Sequence, residues 1–234
     1  MTAPALSGEK LDALQELVNI GMGAAGAALA KALGAFVELT VPAVDFTDRR
    51  SVAGLLDAGP WADHEVEAVR QPFFGAFTGE SLMIFDEQVH AQLADLLGYG
   101  EAPGGEPISM GFPNPPAMMR GEQSSPAPHA KSAAQQEMLL DLANVVIGAC
   151  VNNIAEPIHE VVSFGPPAGL GTRADVRTYL LQEAVACHQG LIVNLDFKLE
   201  ARSFLSRVLV FLPEHSLQRI DQALTQLLDG LAAS

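Results

Sequence analysis

Apolar and polar positions follow two different periods along the chain, and the longest stretch of helical period comes first. Residues 7 to 42 read SGEKLDALQELVNIGMGAAGAALAKALGAFVELTVP. At about 100° per residue, with Asp12 set at zero, Glu16 falls near 40° and Asn19 near −20°, whereas Leu14, Leu17, Val18, Ala25, Ala28 and Leu29 spread over roughly 140° to 260°. One face of the predicted helix is therefore apolar, and the opposite face carries an acid, an acid and an amide in line. Ser7 stands where a cap is needed, Glu9 falls in the first turn, and Gly34 is placed to end the helix in a left-handed conformation. A β-prone segment, Phe36 to Pro42, follows and stops at the proline.

Beyond it the pattern predicts a short helix or turn around Ser51 to Leu56, a turn at Gly59-Pro60, and strands near Glu65 to Phe74 and Gly75 to Phe85. A helix from Glu87 to Leu97, closing at Gly98, completes the unit. Pro72 marks the first of those strands as ending early or lying at a sheet edge. Residues 99 to 131 are crowded with proline and glycine and keep no period, so they read as a linker or insertion. The order of elements then repeats: a helix from Ser132 to about His159, a strand Val161 to Pro166, a helical stretch near Ala174 to Ala184, strands Leu191 to Leu199 and Phe204 to Leu212, and a final helix Pro213 to Gly230.

The polar stripe repeats with it. Glu137, Asp141 and Asn144 stand 125 residues after Asp12, Glu16 and Asn19, with Leu139, Leu142, Ala143, Val146 and Cys150 on the far face. Pro167 follows Asn144 by 23 positions, as Pro42 follows Asn19 by 23. The exposed face of a helix is commonly polar for no special reason, but solvation alone does not duplicate a stripe at fixed register. An internal duplication is the simplest account: one domain over 1–234, with a first repeat at 7–98, the linker at 99–131 and a second repeat at 132–231.

Composition narrows the class of partner. With 49% apolar and 18% charged residues, 234 residues suffice for a packed core. The formal net charge of −15, from 13 basic and 28 acidic residues, speaks against nucleic acid and against an anionic membrane, and for a protein partner with a positive rim. No basic-then-apolar leader opens the sequence, and the longest apolar run, Ile20 to Ala30, is well short of the roughly 20 residues that span a bilayer. A soluble, cytoplasmic protein without membrane insertion is expected.

Candidate chemistry is sparse outside the stripes. Cys150 and Cys187 are isolated and read as core residues. The six histidines (His64, His90, His129, His159, His188, His215) form no pair with metal-ligand spacing. No Gly-x-Ser-x-Gly elbow or phosphate-loop lysine offers a covalent nucleophile. Gly21, Gly23 and Gly26 spell Gly-x-Gly-x-x-Gly, and Asp45 lies near the distance of a ribose-binding acid, yet Leu11 to Val18 before them is amphipathic helix where a dinucleotide site needs a strand. Those glycines instead suit close approach of another element. A carboxylate and a carboxamide one turn apart, with neither nucleophile nor metal ligand, cannot readily hydrolyse a substrate alone but can complete an active site held by another protein. The amide suits the placing of a water because it is neutral and offers both a donor and an acceptor.

The two stripes also carry a resemblance. Asp12, Glu16 and Asn19 followed by Pro42, and the looser Glu137, Asp141 and Asn144 followed by Pro167, resemble the CheC/CheX/FliY family of response-regulator phosphatases of bacterial chemotaxis. The stretch Glu16 to Leu29 with Phe36 to Pro42 is similar to the first CheC repeat almost position for position; in the second motif Glu137 stands where the family has Asp or Ser, and Asp141 where it has Glu. The likeness spans the chain except its central segment. It implies an α/β domain of two pseudo-symmetric repeats, forming one largely antiparallel sheet of about six strands flanked by helices. It further implies hydrolysis of the aspartyl phosphate of a CheY-like response regulator. Asn19 and Asn144 would orient the attacking water, Glu16 and Asp141 would pair with the regulator's lysine, Asp12 and Glu137 would be accessory, and Pro42 and Pro167 structural, each ending a strand. No cofactor would be bound by this chain, Mg2+ being supplied by the regulator. The alternative is an adaptor that docks a response regulator, a CheD-like deamidase or a flagellar switch component. Switch-associated members carry a further C-terminal domain, and the sequence ends at Ser234 without one, which favours the phosphatase.

Overall fold

The computed structural model of the chain describes residues 6–57, 61–62, 65–75, 78–86, 88–89, 133–156, 159, 161–182, 189–200 and 202–232. The long helical pattern becomes α1 (Gly8–Leu33), and the second stripe lies on α3 (Ala133–Ala155). Between and after them come β1 (Val37–Asp48), α2 (Arg49–Leu56), β2 (Val66–Gly75), β3 (Gly79–Asp86), β4 (Val162–Phe164), β5 (Ala168–Gly169), α4 (Arg173–Leu181), β6 (Gln189–Leu199), β7 (Arg202–Leu212) and α5 (Glu214–Ala232). The strands form one antiparallel sheet in the order β1-β6-β7-β3-β2-β4, with the two-residue β5 also on β2. That is the largely antiparallel α/β sheet the resemblance implies, with one short strand more. Exchanging β1 with β4, β6 with β2 and β7 with β3 leaves the order unchanged, so the strand that follows each stripe-bearing helix lies at an opposite edge.

Both faces of the sheet are covered, which explains why its central strands read as apolar runs. Period two sends Leu191, Val193, Val208, Val210, Met83 and Phe85 to the side of α1, α3 and α5, and Ile192, Leu209, Phe211, Leu82 and Ile84 to the side of α2 and α4. On α1 the buried residues are Leu14, Val18, Gly21, Met22, Ala25, Gly26 and Leu29, close to the apolar arc read from the sequence; Ala28 is exposed. Gly34 closes α1 at φ 64°, its N–H bonded to the Ala30 carbonyl, whereas Ser7 occupies the cap position without a side-chain hydrogen bond. Two of the three helix glycines do admit a neighbour. A Cβ on Gly21 would stand 1.8 Å from Asn153 Nδ2 on α3, and one on Gly26 would lie 3.4 Å from Leu39 N on β1, whereas Gly23 meets nothing among the described residues.

Two expectations about prolines are corrected. β1 does not stop at Pro42 but runs through it to Asp48, with one extra residue bulged out between Thr40 and Ala43 opposite β6. Its place at the sheet edge is what tolerates a residue with no N–H to give. β2 likewise continues past Pro72 to Gly75 and is not an edge strand, since β4 pairs with it from Phe73 onward and the Pro72 carbonyl still accepts from Gly165 N–H at 2.9 Å. Pro167 does follow the end of a strand, β4. Among the described residues one helix, Gln136–Ala155, is long and apolar enough to cross a bilayer, but half of it is buried in the fold and its apolar residues other than Val145 belong to or pack against the core. Cys150 is among them, and burial pushes its thiol up to about 12. His159 and His215 are exposed. The turn at Gly59-Pro60, the helix expected at Glu87 to Leu97 except residues 88 and 89, the segment 99–131, Ser132, Cys187 and the other four histidines lie outside the described residues.

Candidate functional site

Helical period brings Asp12, Glu16 and Asn19 to one side of α1, where both acids are exposed and Asn19 is half-buried. On α3, Glu137, Asp141 and Asn144 are all exposed. The two helices pack directly on each other through Gly21 and Asn153, so both stripes belong to the same helical layer. Among the described residues none of the four acids forms an ion pair.

The amide of Asn19 is not free to turn. Within the bulge of β1, Val41 N–H points to α1 and donates to Asn19 Oδ1 at 2.9 Å. Since the partner is an N–H, the oxygen must face it, and Nδ2 is directed the other way. Gln15, one turn earlier, secures the same bulge from Nε2, donating to the carbonyls of Val41 at 3.2 Å and Pro42 at 2.9 Å. The interval of 23 residues between Asn19 and Pro42 thereby acquires a structural cause: it places the bulge, and with it a main-chain donor, beside the asparagine. Pro42 is part of this bulge and ends no strand.

Asn144 is held differently. Its Oδ1 accepts from Gln71 Nε2 on β2 at 2.6 Å, and the same nitrogen donates to the Gly165 carbonyl at 3.0 Å. A carbonyl can only accept, so Gly165 fixes which end of Gln71 lies there, and Gln71 in turn fixes Asn144 with Oδ1 inward and Nδ2 outward. Both stripes therefore end in an amide whose oxygen is bonded within the fold.

Four contributors were missed in the sequence. Gln15 lies at about 300° on the Asp12 scale, on the border of the apolar arc. Gln71 occupies a core-facing strand position between Val69 and Phe73, and that break in the apolar alternation was its signal. Ile20 is 63% exposed and Val145, 125 residues later, 37% exposed, each directly after its asparagine. A large aliphatic residue on the polar side of a helix, repeated at the same register, could have been read from the pattern.

Comparison with known proteins agrees with the architecture. Residues 9–45, which contain α1 except Gly8 and most of β1, match the model of the CheC-like family. No curated protein matches the chain in sequence. Among solved structures the chain is similar to FliY of Thermotoga maritima, at 17% identity over 94% of this chain and 98% of that one, with a TM-score of 0.64. It is also similar to the FliM middle domain of H. pylori, at 11% identity over 93% and 99% with a TM-score of 0.57, and to the H. pylori FliG–FliM complex structure, at 12% identity over 93% and 100% with a TM-score of 0.57. The first stripe thus lies within the segment that matches the CheC-like model, and the chain shares its fold with FliY and the FliM middle domain.

Proposed function

We propose that the chain is a chemotaxis-type phosphatase that completes the active site of a phosphorylated CheY-like response regulator. The observation that carries this reading is the state of the two amides: each oxygen is held from within the fold, by Val41 N–H or by Gln71, leaving Nδ2 as the free end of the amide on a stripe with a carboxylate one turn earlier. An amide so fixed places a water without being rearranged itself. Nδ2 of Asn19 or Asn144 donates to the water oxygen, whose remaining lone pair is directed at phosphorus. As the new P–O bond forms, the bond to the aspartyl oxygen breaks; the carboxylate leaves with the electron pair, and the phosphate keeps both protons of the water. Mg2+ and a lysine, both supplied by the regulator, would neutralise the charge of the phosphoryl group. Glu16, and Asp141 at the second site, pair with that lysine and set the register of docking. Asp12 and Glu137 add negative charge to the rim, and Ile20 and Val145 supply the apolar contact of each docking face.

A second reading is a binding module that docks its partner without hydrolysis. It draws on the FliM structures that share this fold, one of them solved as a complex with FliG, and its partner would be a regulator, a CheD-like deamidase or a flagellar switch component. Release of inorganic phosphate from a phosphorylated regulator separates the two: the phosphatase accelerates it, and a binding module leaves it at the regulator's own rate.

A further inference from the structure

The two asparagines occupy equivalent helical positions, but the fold cannot hold them in the same way. The residue that stands to Asn144 as Val41 stands to Asn19 is 125 positions on, and it is Pro166. Proline has no N–H, so the main-chain donor that orients the first amide does not exist at the second. Gln71 supplies one in its place: its Nε2 reaches Asn144 Oδ1 at 2.6 Å from a side chain only 1% exposed. The arrangement has a structural cost. Gln71 Oε1 is buried with no hydrogen-bond partner among the described residues, so an apolar residue of the same size would suit this core position better on packing grounds alone. A buried polar group that packing does not favour, bonded to the end of a motif side chain, has its reason in that side chain.

We infer that Gln71 is the positioning residue of the second site, replacing the main-chain donor that Pro166 removes. The inference rests on the phosphatase reading for its catalytic consequence, but its geometric part is independent of turnover. Gln71 touches neither water nor phosphate; it acts by keeping Asn144 Oδ1 inward and Nδ2 outward. The first site owes nothing to it, because Asn19 is oriented by Val41.

The test is Gln71→Met, which keeps an unbranched side chain of similar length and removes the donor, with Gln71→Leu as a second variant should methionine misfold. The first readout is the order of the side-chain amide of each asparagine, from 15N relaxation in the full chain. Loss of order at Asn144 with Asn19 unchanged is expected; an Asn144 amide as rigid as in the wild type overturns the inference. The second readout is turnover of a phosphorylated regulator in two backgrounds. With Asn19→Ala, where only the second site acts, Gln71→Met should lower kcat about tenfold or more with little change in KM. With Asn144→Ala, where only the first site acts, it should change neither. An equal fall in both backgrounds would make Gln71 a general structural residue and overturn its assignment to the second site. If the Asn19→Ala parent releases no phosphate while the Asn144 amide still loosens in Gln71→Met, the positioning role stands and the phosphatase reading of that site fails.

Discussion

An asparagine whose oxygen is already bonded faces its partner chiefly with N–H groups, and this decides which substitution at Asn19 is informative. Alanine removes both the outward donor and the acceptor of Val41 N–H, so its effects on chemistry and on the bulge are mixed. Aspartate separates them. Asn19→Asp still presents an oxygen to Val41 N–H but turns an anionic oxygen outward, where the phosphoryl group repels it and no N–H remains to hold the water. In an Asn144→Ala background it should lose on the order of 10²-fold in turnover with an unfolding midpoint no lower than that of its parent. Wild-type turnover by this variant would show that the outward donor plays no part. The asparagines and acids were legible in the sequence because helical spacing alone puts them on one side. Gln15 and Gln71 were not, because their roles depend on which strand lies beside which helix, and no spacing along one element reports that.

At the level of elements the helices were more legible than the strand ends. A proline, unable to donate to a ladder, suggests the end of a strand, but an edge strand with a bulge has a position where no donation is asked of it, and β1 continues through Pro42 to Asp48. The extension matters for α2, because it makes Asp48 the residue that starts that helix. Asp48 accepts from Arg50 N–H and Ser51 N–H, and its carboxyl is held below the ordinary value of 3.8, first by the Ser51 main-chain bond and then by the Ser51 hydroxyl. Asp48→Ala should cost about 1 kcal/mol, the usual worth of such a cap. A lowered folded pKa means that the charged part of this stabilisation is present above the unfolded value and is lost as pH falls through the folded one. The gap in unfolding midpoint between wild type and Asp48→Ala should therefore be full at neutral pH and narrow below about pH 4. A gap that stays constant down to pH 2 would mean that the charge contributes nothing to the cap.

Across the whole molecule, charge and symmetry point the same way. Lys10, Arg49, Arg70, Arg177 and Lys198 are paired with acids of the chain itself, while the acids of the two stripes face outward unpaired among the described residues. In a chain of net charge −15, these faces favour a partner that brings its own positive groups. The strand order is symmetric about its centre, and one helical layer presents two such faces. Each face also carries an exposed aliphatic residue, and burying Ile20 against a regulator should contribute about 1 to 2 kcal/mol. Ile20→Ser, in an Asn144→Ala background, should then weaken binding of the regulator roughly five- to thirtyfold at little cost in kcat; unchanged affinity in a titration would remove Ile20 from the docking face. The phosphatase reading stands or falls on the rate at which inorganic phosphate leaves a CheY-like regulator phosphorylated on its aspartate, with Mg2+ present, alone and with this chain. Wild-type protein should accelerate release, and Asn19→Ala combined with Asn144→Ala should return it to the regulator's own rate while still binding; a double variant that releases phosphate as fast as wild type would rule the two asparagines out of the chemistry.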